Sequence, residues 1–284
     1  MDISIITVTW NNKENIKEQI ESVKSACQKN SFEQILIDNG STDGTVDFIV
    51  QNFPEVKIII NKENLGFAAA NNQGARIAQG GFLLFLNPDM RLEADSLNKL
   101  IEWFRARPDV GLVGLKLTDE NGNFNTCAAP RRFPTILNQL ATIFFKIHRF
   151  CPSVLNNYLM KDFNTEIEQE VDSVRGSFML ARRALIEKLG WAFDPRYFIW
   201  FEDVDLCREA KLLGYKVMYT PFISAVDFVG QSFKKQDTYW KQKNFTKSML
   251  RYFQKWEPWY KWIWLGLARG LVLPVLWLRE KIKK

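Results

Sequence analysis

Through its first 117 residues the chain alternates short apolar runs with longer stretches of mixed polarity. The runs Ile3–Thr9, Gln34–Asp38, Val56–Asn61, Phe82–Leu86 and Val110–Leu117 have strand length and predict β-structure. Between them Lys13–Gln28, Thr45–Gln51, Phe67–Ala78 and Asp95–Arg107 have helical length. Asn11, with Glu14 three residues later, reads as a capping box ahead of the first helix. Strand and helix in alternation predict an α/β fold, a largely parallel sheet covered by helices.

After Leu117 the alternation stops. Asn121-Gly122 marks a turn, and Pro130, Pro134 and Pro152 break up the stretch beyond it. Helices are expected at Arg183–Leu189 and Val204–Leu213, with a short strand at Lys216–Tyr219. From about Trp240 the chain changes again, and Ile263–Leu278 is almost wholly apolar, interrupted by Arg269 and Pro274. Sixteen residues fall short of the ~20 that a membrane-crossing helix needs, so the pattern favours a segment lying in a membrane interface. A buried C-terminal helix is the other reading.

Charge sharpens that picture. The net charge of +6 is confined to the tail: from Lys234 on there are 13 Lys and Arg against 3 Asp and Glu, while residues 1–233 carry 25 against 29. Half of the ten tryptophans (Trp256, Trp259, Trp262, Trp264, Trp277) fall in the same region. Basic residues mixed with Trp point to an anionic membrane surface, with Lys281, Lys283 and Lys284 on lipid phosphates, rather than to nucleic acid. The N-terminus enters a strand-like run at once, without a secretory pattern, which predicts a cytoplasmic protein at the inner face of the plasma membrane. The cysteines Cys27, Cys127, Cys151 and Cys207 have no metal-ligand spacing, and a Ser/His triad would rest on His148 alone.

In an open α/β sheet ligands sit beyond the carboxyl ends of the strands, and three polar clusters fall there. Asp38-Asn39-Gly40-Ser41-Thr42-Asp43-Gly44 comes after the second strand; Asp38 can accept hydrogen bonds from a nucleoside, while Asp43 reads as the N-cap of the helix near Thr45. Asn64-Leu65-Gly66-Phe67 opens a small-residue helix, where Gly66 would let backbone N–H groups approach a phosphate, or simply let the helix pack closely. Leu86-Asn87-Pro88-Asp89 offers an oxygen ligand suited to Mg²⁺ or Mn²⁺, or only a turn. Further on, Trp200-Phe201-Glu202-Asp203-Val204-Asp205 sets three carboxylates beside aromatic residues, as a base acting on a carbohydrate hydroxyl would require; helix capping accounts for at least one of them.

Taken in order, Val8-Thr9-Trp10-Asn11, Ile37–Gly44, Asn64–Phe67, Leu86–Asp89, Arg175-Gly176-Ser177-Phe178 and Phe201–Leu206 resemble the bacterial rhamnosyltransferase-like branch of glycosyltransferase family 2, over roughly Ile3 to Ser232. The resemblance implies a GT-A type, Rossmann-like fold divided into a nucleotide-sugar-binding half (1–117), an acceptor-binding and catalytic half (118–235) and a membrane-associating tail (236–284). It implies an inverting transfer from a nucleotide diphosphate-sugar, dTDP-rhamnose first and a UDP-hexose next, to a saccharide or lipid-linked saccharide. Donor-binding residues would be Thr7, Val8, Thr9, Trp10, Asp38, Asn64, Gly66 and Asn87. Asp203 would be the base, with Glu202 beside it in the catalytic set, and Asp89 would hold Mg²⁺ or Mn²⁺ on the diphosphate. Trp10 stands where the family usually has Tyr, and Asp227 where it normally has His. Asp227 is then either a replacement metal ligand, its charge offset by Lys234 and Lys235, or a solvated loop residue. A glycoside hydrolase leaves the nucleotide-side motifs without a role, and a dinucleotide oxidoreductase lacks its G-x-G-x-x-G. A non-catalytic, membrane-docked sugar-nucleotide-binding protein is the alternative from another class.

Overall fold

The computed structural model describes residues 1–144, 152–228 and 237–283. His148, Cys151, Lys234, Lys235 and Lys284 lie outside the described residues, as do the last positions of the family resemblance, those after Phe228. Nine strands form one sheet: β1 (Ile3–Thr9), β2 (Phe32–Asp38), β3 (Lys57–Ile60), β4 (Phe82–Leu86), β5 (Met90–Leu92), β6 (Val110–Thr118), β7 (Gln169–Glu170), β8 (Phe178–Arg182) and β9 (Lys216–Asp227). The helices are α1 (Lys13–Ala26), α2 (Thr45–Asn52), α3 (Phe67–Ile77), α4 (Ser96–Arg105), α5 (Ile136–Ile143), α6 (Pro152–Tyr158), α7 (Arg183–Leu189), α8 (Glu202–Leu212), α9 (Thr238–Trp256) and α10 (Trp259–Lys283).

Across the sheet the order is β3-β2-β1-β4-β8-β6-β9-β5, with β7 paired to β9. The half expected from the apolar runs, β3-β2-β1-β4, is parallel as predicted. The other half is mixed. β8 lies antiparallel between β4 and β6, and β5 is antiparallel to β9. β8 is a five-residue run, Phe-Met-Leu-Ala-Arg, buried at its first four positions, and nothing in it sets its direction. β5 has only three residues, too few to show a period.

Helices cover both faces, and Ile6, Phe85, Met179 and Phe193 are fully enclosed on one side, with Ile5, Leu84, Phe104 and Leu180 on the other. The Asn11–Glu14 capping box is not formed. Asn12 is the N-cap of α1 but its side chain does not cap the helix, donating to the Trp10 carbonyl at 3.0 Å, and Asn11, at φ 55°, accepts the Thr42 N–H at 2.8 Å. Asp43 does hold the start of α2, from one residue further out than a cap: its Oδ1 accepts the Thr45 N–H at 3.0 Å, and Gly44 is the N-cap.

The tail is a helical hairpin. α9 packs on the body, where the Ser248 hydroxyl donates to the Ile199 carbonyl at 2.7 Å. α10 doubles back along α9: Arg269 Nε donates to Thr246 Oγ1 at 3.2 Å, and near the far end the Tyr239 N–H donates to Glu280 at 2.7 Å. Leu265 and Ala268 are buried, whereas Trp264 (59 % exposed), Leu267 and Leu271 (67 %) form an outward apolar stripe. The sixteen-residue count therefore understated the element. Pro274 sits inside one continuous helix, and Trp259–Ile282 is long and apolar enough to cross a membrane.

Candidate active site

The carboxyl ends of β1, β2 and β4 open onto a cavity of about 320 Å³, within the size range of a small-molecule site. Val8, Thr9 and Trp10 come from the end of β1, Asn64 and Gly66 from the loop before α3, and Asn87 and Asp89 from the end of β4. Arg175–Ser177, Phe198–Trp200, Glu202, Asp203 and Asp227 complete the wall from the second half. Most of the residues singled out from the sequence thus meet in one place.

Two do not. Thr7 is buried against α1, its Oγ1 accepting from Gln19 Nε2 at 3.0 Å. Asp38 is buried behind the wall, where one oxygen accepts the N–H groups of Gly40 (3.1 Å) and Ser41 (2.9 Å) and shapes the polar loop. Among the described residues its other oxygen has no hydrogen-bond partner, and neither does Thr9 Oγ1 across the strand pair. Asn64 supports the loop, accepting from the Gly66 N–H at 2.9 Å. Gly66, at φ 88°, is required by packing: a Cβ there would lie 2.5 Å from the Phe198 carbonyl oxygen. The Phe67 N–H donates to that same oxygen at 2.7 Å, so this crossing joins the two halves of the site.

Asp203 is half-buried in the first turn of α8. Its Oδ2 accepts the Gly176 N–H at 3.1 Å and its Oδ1 the Val204 N–H at 2.8 Å. Glu202 differs sharply from it. Burial, and then the charge of Asp203, push its carboxyl pKa well above the usual carboxylate range, and among the described residues Oε2 has no hydrogen-bond partner. Burial thus favours the neutral form of Glu202 next to an aspartate whose oxygens are oriented by backbone donors. Immediately before them Trp200 (φ 66°) and Phe201 (φ 68°) are both left-handed, a conformation that costs bulky residues on the order of 1–3 kcal/mol each. Such strain persists where surrounding contacts over-determine it, and Phe201 is packed between Phe245 and Tyr252 of α9.

The third carboxylate of the motif serves the scaffold. Asp205 is buried, accepting from Lys255 Nζ at 2.6 Å and Trp256 Nε1 at 2.7 Å. Lys255 also reaches Glu209 (2.7 Å) and Asp194 (3.2 Å), so the end of α9 is pinned to the base of α8. Burial disfavours the charged form of Asp194, but bonds from Arg196 and Lys255 outweigh it and bring its pKa down to about 2.

Asp89 and Asp227 are buried at 5 % and 8 % exposure and share the cavity wall. β5 pairs with β9 so that Met90 opposes Asp227, and the Phe228 N–H donates to the Asp89 carbonyl at 3.1 Å. Asp227 is therefore a buried strand-end residue, which overturns its reading as a solvated loop position. Asn125 Nδ2 donates to Asp227 Oδ2 at 3.3 Å. Among the described residues no group of three or more His, Cys, Asp and Glu converges, and the donors on offer are carboxylate oxygens, the chemistry that hard cations take.

Sequence reasoning passed over Asn125, Cys127 and Trp240, which also line the cavity. Asn125 and Cys127 arrive on the return from the Asn121-Gly122 turn, where only the tertiary path brings them over the sheet edge. Trp240 comes from α9 and packs on Phe198 and Trp200.

The family model for glycosyl transferase family 2 matches residues 4–190. The chain belongs to that family. N-acetylglucosaminyl-diphospho-decaprenol L-rhamnosyltransferase of Mycobacterium tuberculosis is 27 % identical over 77 % of this chain and 73 % of its own length. Rhamnosyltransferase WbbL of Escherichia coli is 23 % identical over 80 % and 83 %. The chain is thus a rhamnosyltransferase-like glycosyltransferase. Two solved structures share its fold: mannosyltransferase PcManGT from Pyrobaculum calidifontis, in complex with GDP-Man and Mn²⁺, with TM-score 0.59, 19 % identity and coverage of 96 % of this chain and 72 % of that one; and S. aureus TarS 1–349 with UDP-GlcNAc, with TM-score 0.57, 18 % identity and coverage of 88 % and 65 %. The fold is GT-A type, as the motif order implied.

Proposed function

We propose that this glycosyltransferase moves a sugar, with inversion, from a nucleotide diphosphate-sugar to a lipid-linked saccharide, with Asp203 as the base. The observation that carries this reading is the contrast of neighbours: Asp203 is oriented by two backbone N–H groups on the cavity wall, while Glu202 is buried, which disfavours its charged form. Asp203 removes the proton of the acceptor hydroxyl as that oxygen bonds to the anomeric carbon. The bond from that carbon to the diphosphate breaks on the opposite face, which inverts the configuration. Asp89 and Asp227 are placed to hold a Mg²⁺ or Mn²⁺ ion, which when bound would supply Lewis-acid stabilisation of the leaving diphosphate. Val8, Thr9 and Trp10 form the nucleotide side of the wall.

The names of the relatives favour rhamnose as the sugar, hence dTDP-rhamnose before a UDP-hexose, and favour a lipid-linked acceptor. The tail supports a peripheral membrane location. α10 lies alongside α9 for most of its length, so crossing a bilayer would draw Lys241, Lys243 and Lys247 of α9 in with it, at a high cost for each charge. An α10 lying in the plane of the membrane buries the outward stripe and keeps those lysines at the headgroups. The test is a panel of nucleotide sugars screened for thermal stabilisation with Mn²⁺. The largest rise is expected for dTDP-rhamnose; no rise with any nucleotide sugar contradicts the reading.

A further inference from the structure

Near Asp203 two guanidinium groups converge on one atom. Arg175 donates to the Cys127 carbonyl oxygen from Nε at 3.2 Å and Nη2 at 2.9 Å, and Arg131 Nη2 reaches the same oxygen at 3.4 Å. The backbone enforces this meeting. Arg131 pairs with Ser173 in an isolated bridge through N–H···O bonds of 3.2 and 3.1 Å, and Arg175 comes two residues later.

Among the described residues neither arginine forms an ion pair; both donate to that one carbonyl, Arg131 also stands over the ring of Tyr158 at 5.7 Å, and the charges of Asp203 and Glu202 act on Arg131 and Arg175 respectively. Burial, and then repulsion from Arg175, lower the pKa of Arg131. Two guanidinium groups that share one carbonyl and are not ion-paired to the nearby Asp203 and Glu202 can take an anion that brings more than one oxygen, and guanidinium forks suit phosphate.

The surroundings indicate whose phosphate it is. Along the carboxyl edge of the sheet the order runs from β2 and β1 to β4, with Asn87–Asp89 at its end, and then to β8, which Arg175 precedes. Arg175 therefore lies past Asn87–Asp89 as seen from the nucleotide side, with Asp227, at the end of β9, further along the sheet. On the arginines' other flank, Arg131 runs into α5, capped by Thr135, and α5 packs against α10 with its outward apolar stripe. An apolar surface, a cationic pair and a base thus stand in sequence.

We propose that Arg131 and Arg175 bind the diphosphate that joins an acceptor saccharide to its lipid, setting the acceptor hydroxyl at Asp203. This rests on the transferase reading above.

The experiment titrates the full chain calorimetrically with farnesyl diphosphate, farnesol and dTDP, for the wild type and for Arg131→Gln and Arg175→Gln. Wild type should bind farnesyl diphosphate well above farnesol, and each variant should weaken it roughly tenfold or more while dTDP affinity stays within about two-fold. Arg131→Lys and Arg175→Lys, which keep the charge but lose the fork, should fall between and guard against misfolding. Equal affinity for farnesol and farnesyl diphosphate, or unchanged farnesyl diphosphate binding in the variants, overturns the proposal. So does a loss confined to dTDP, which would assign the pair to the donor. A wild type that binds neither dTDP nor UDP would instead count against the transferase reading itself.

Discussion

The backbone N–H of Gly176 donates to Asp203 Oδ2 at 3.1 Å, across 27 residues of chain. That bond ties the start of β8, in the middle of the sheet, to the first turn of α8. Each Asp203 oxygen accepts one backbone N–H, which leaves each with capacity for a further donor from the cavity. The carboxylate is therefore oriented without being saturated.

Glu202→Gln tests the difference between the two neighbours. An amide closely matches a protonated carboxyl in size and charge, and burial pushes Glu202 toward that neutral form. Transfer by the variant should stay within a few-fold of wild type. A loss comparable to that of Asp203→Asn would mean that Glu202 acts as a carboxylate.

Lys255→Met strips Asp205 and Asp194 of their shared cation and should destabilise the fold by about 3–5 kcal/mol, the usual cost of leaving a buried charge unpaired. The same site sets a pH dependence. The folded pKa of Asp194 lies below its unfolded value, so its contribution is complete above the ordinary carboxylate range and is lost as pH falls toward about 2. In the variant that loss should begin at higher pH. Urea denaturation midpoints across acid pH check both; superimposable curves would leave the network without energetic weight.

Asp227→Ala should weaken Mn²⁺ binding measured with donor present, because it removes one of two buried carboxylates on the cavity wall. Loss of a direct carboxylate ligand is expected to shift the Mn²⁺ midpoint about tenfold or more. An unchanged midpoint would leave the ion to Asp89, the diphosphate and water.

The outward stripe of α10 should govern membrane binding without governing the fold. Trp264→Glu with Leu271→Glu alters only exposed positions, and should release the protein from anionic liposomes at unchanged melting temperature. Removing residues 256–284 is a harsher test than the sequence suggested, since Trp256 bonds to buried Asp205 and Leu265 is enclosed. Wild type that ignores such liposomes would leave the stripe for another partner.

Much of this was legible in the sequence because it is local. Apolar runs marked β1, β2 and β4, and the polar clusters after them fell at strand ends, so Trp10, Asn64, Asn87 and Asp89 were found together. What was missed depends on distant contacts. β8 carries no sign of its direction, Asn125 and Cys127 reach the cavity only through the path of the chain, and the role of Asp205 depends on Lys255, 50 residues on. Thr7 and Asp38 show the converse, since the family resemblance, and for Asp38 its place at a strand end, assign them to the donor but the side chains are spent on Gln19 and on the Gly40–Ser41 turn.

The account turns on Asp203, and single-turnover transfer by Asp203→Asn, with donor affinity measured alongside, tests it most directly. The asparagine keeps the bulk and can still accept the Gly176 N–H, but it cannot take a proton. Transfer should fall by about 10²–10⁴ while dTDP-sugar affinity stays within a few-fold. Near-normal turnover by the variant would contradict the assignment of Asp203 as the base.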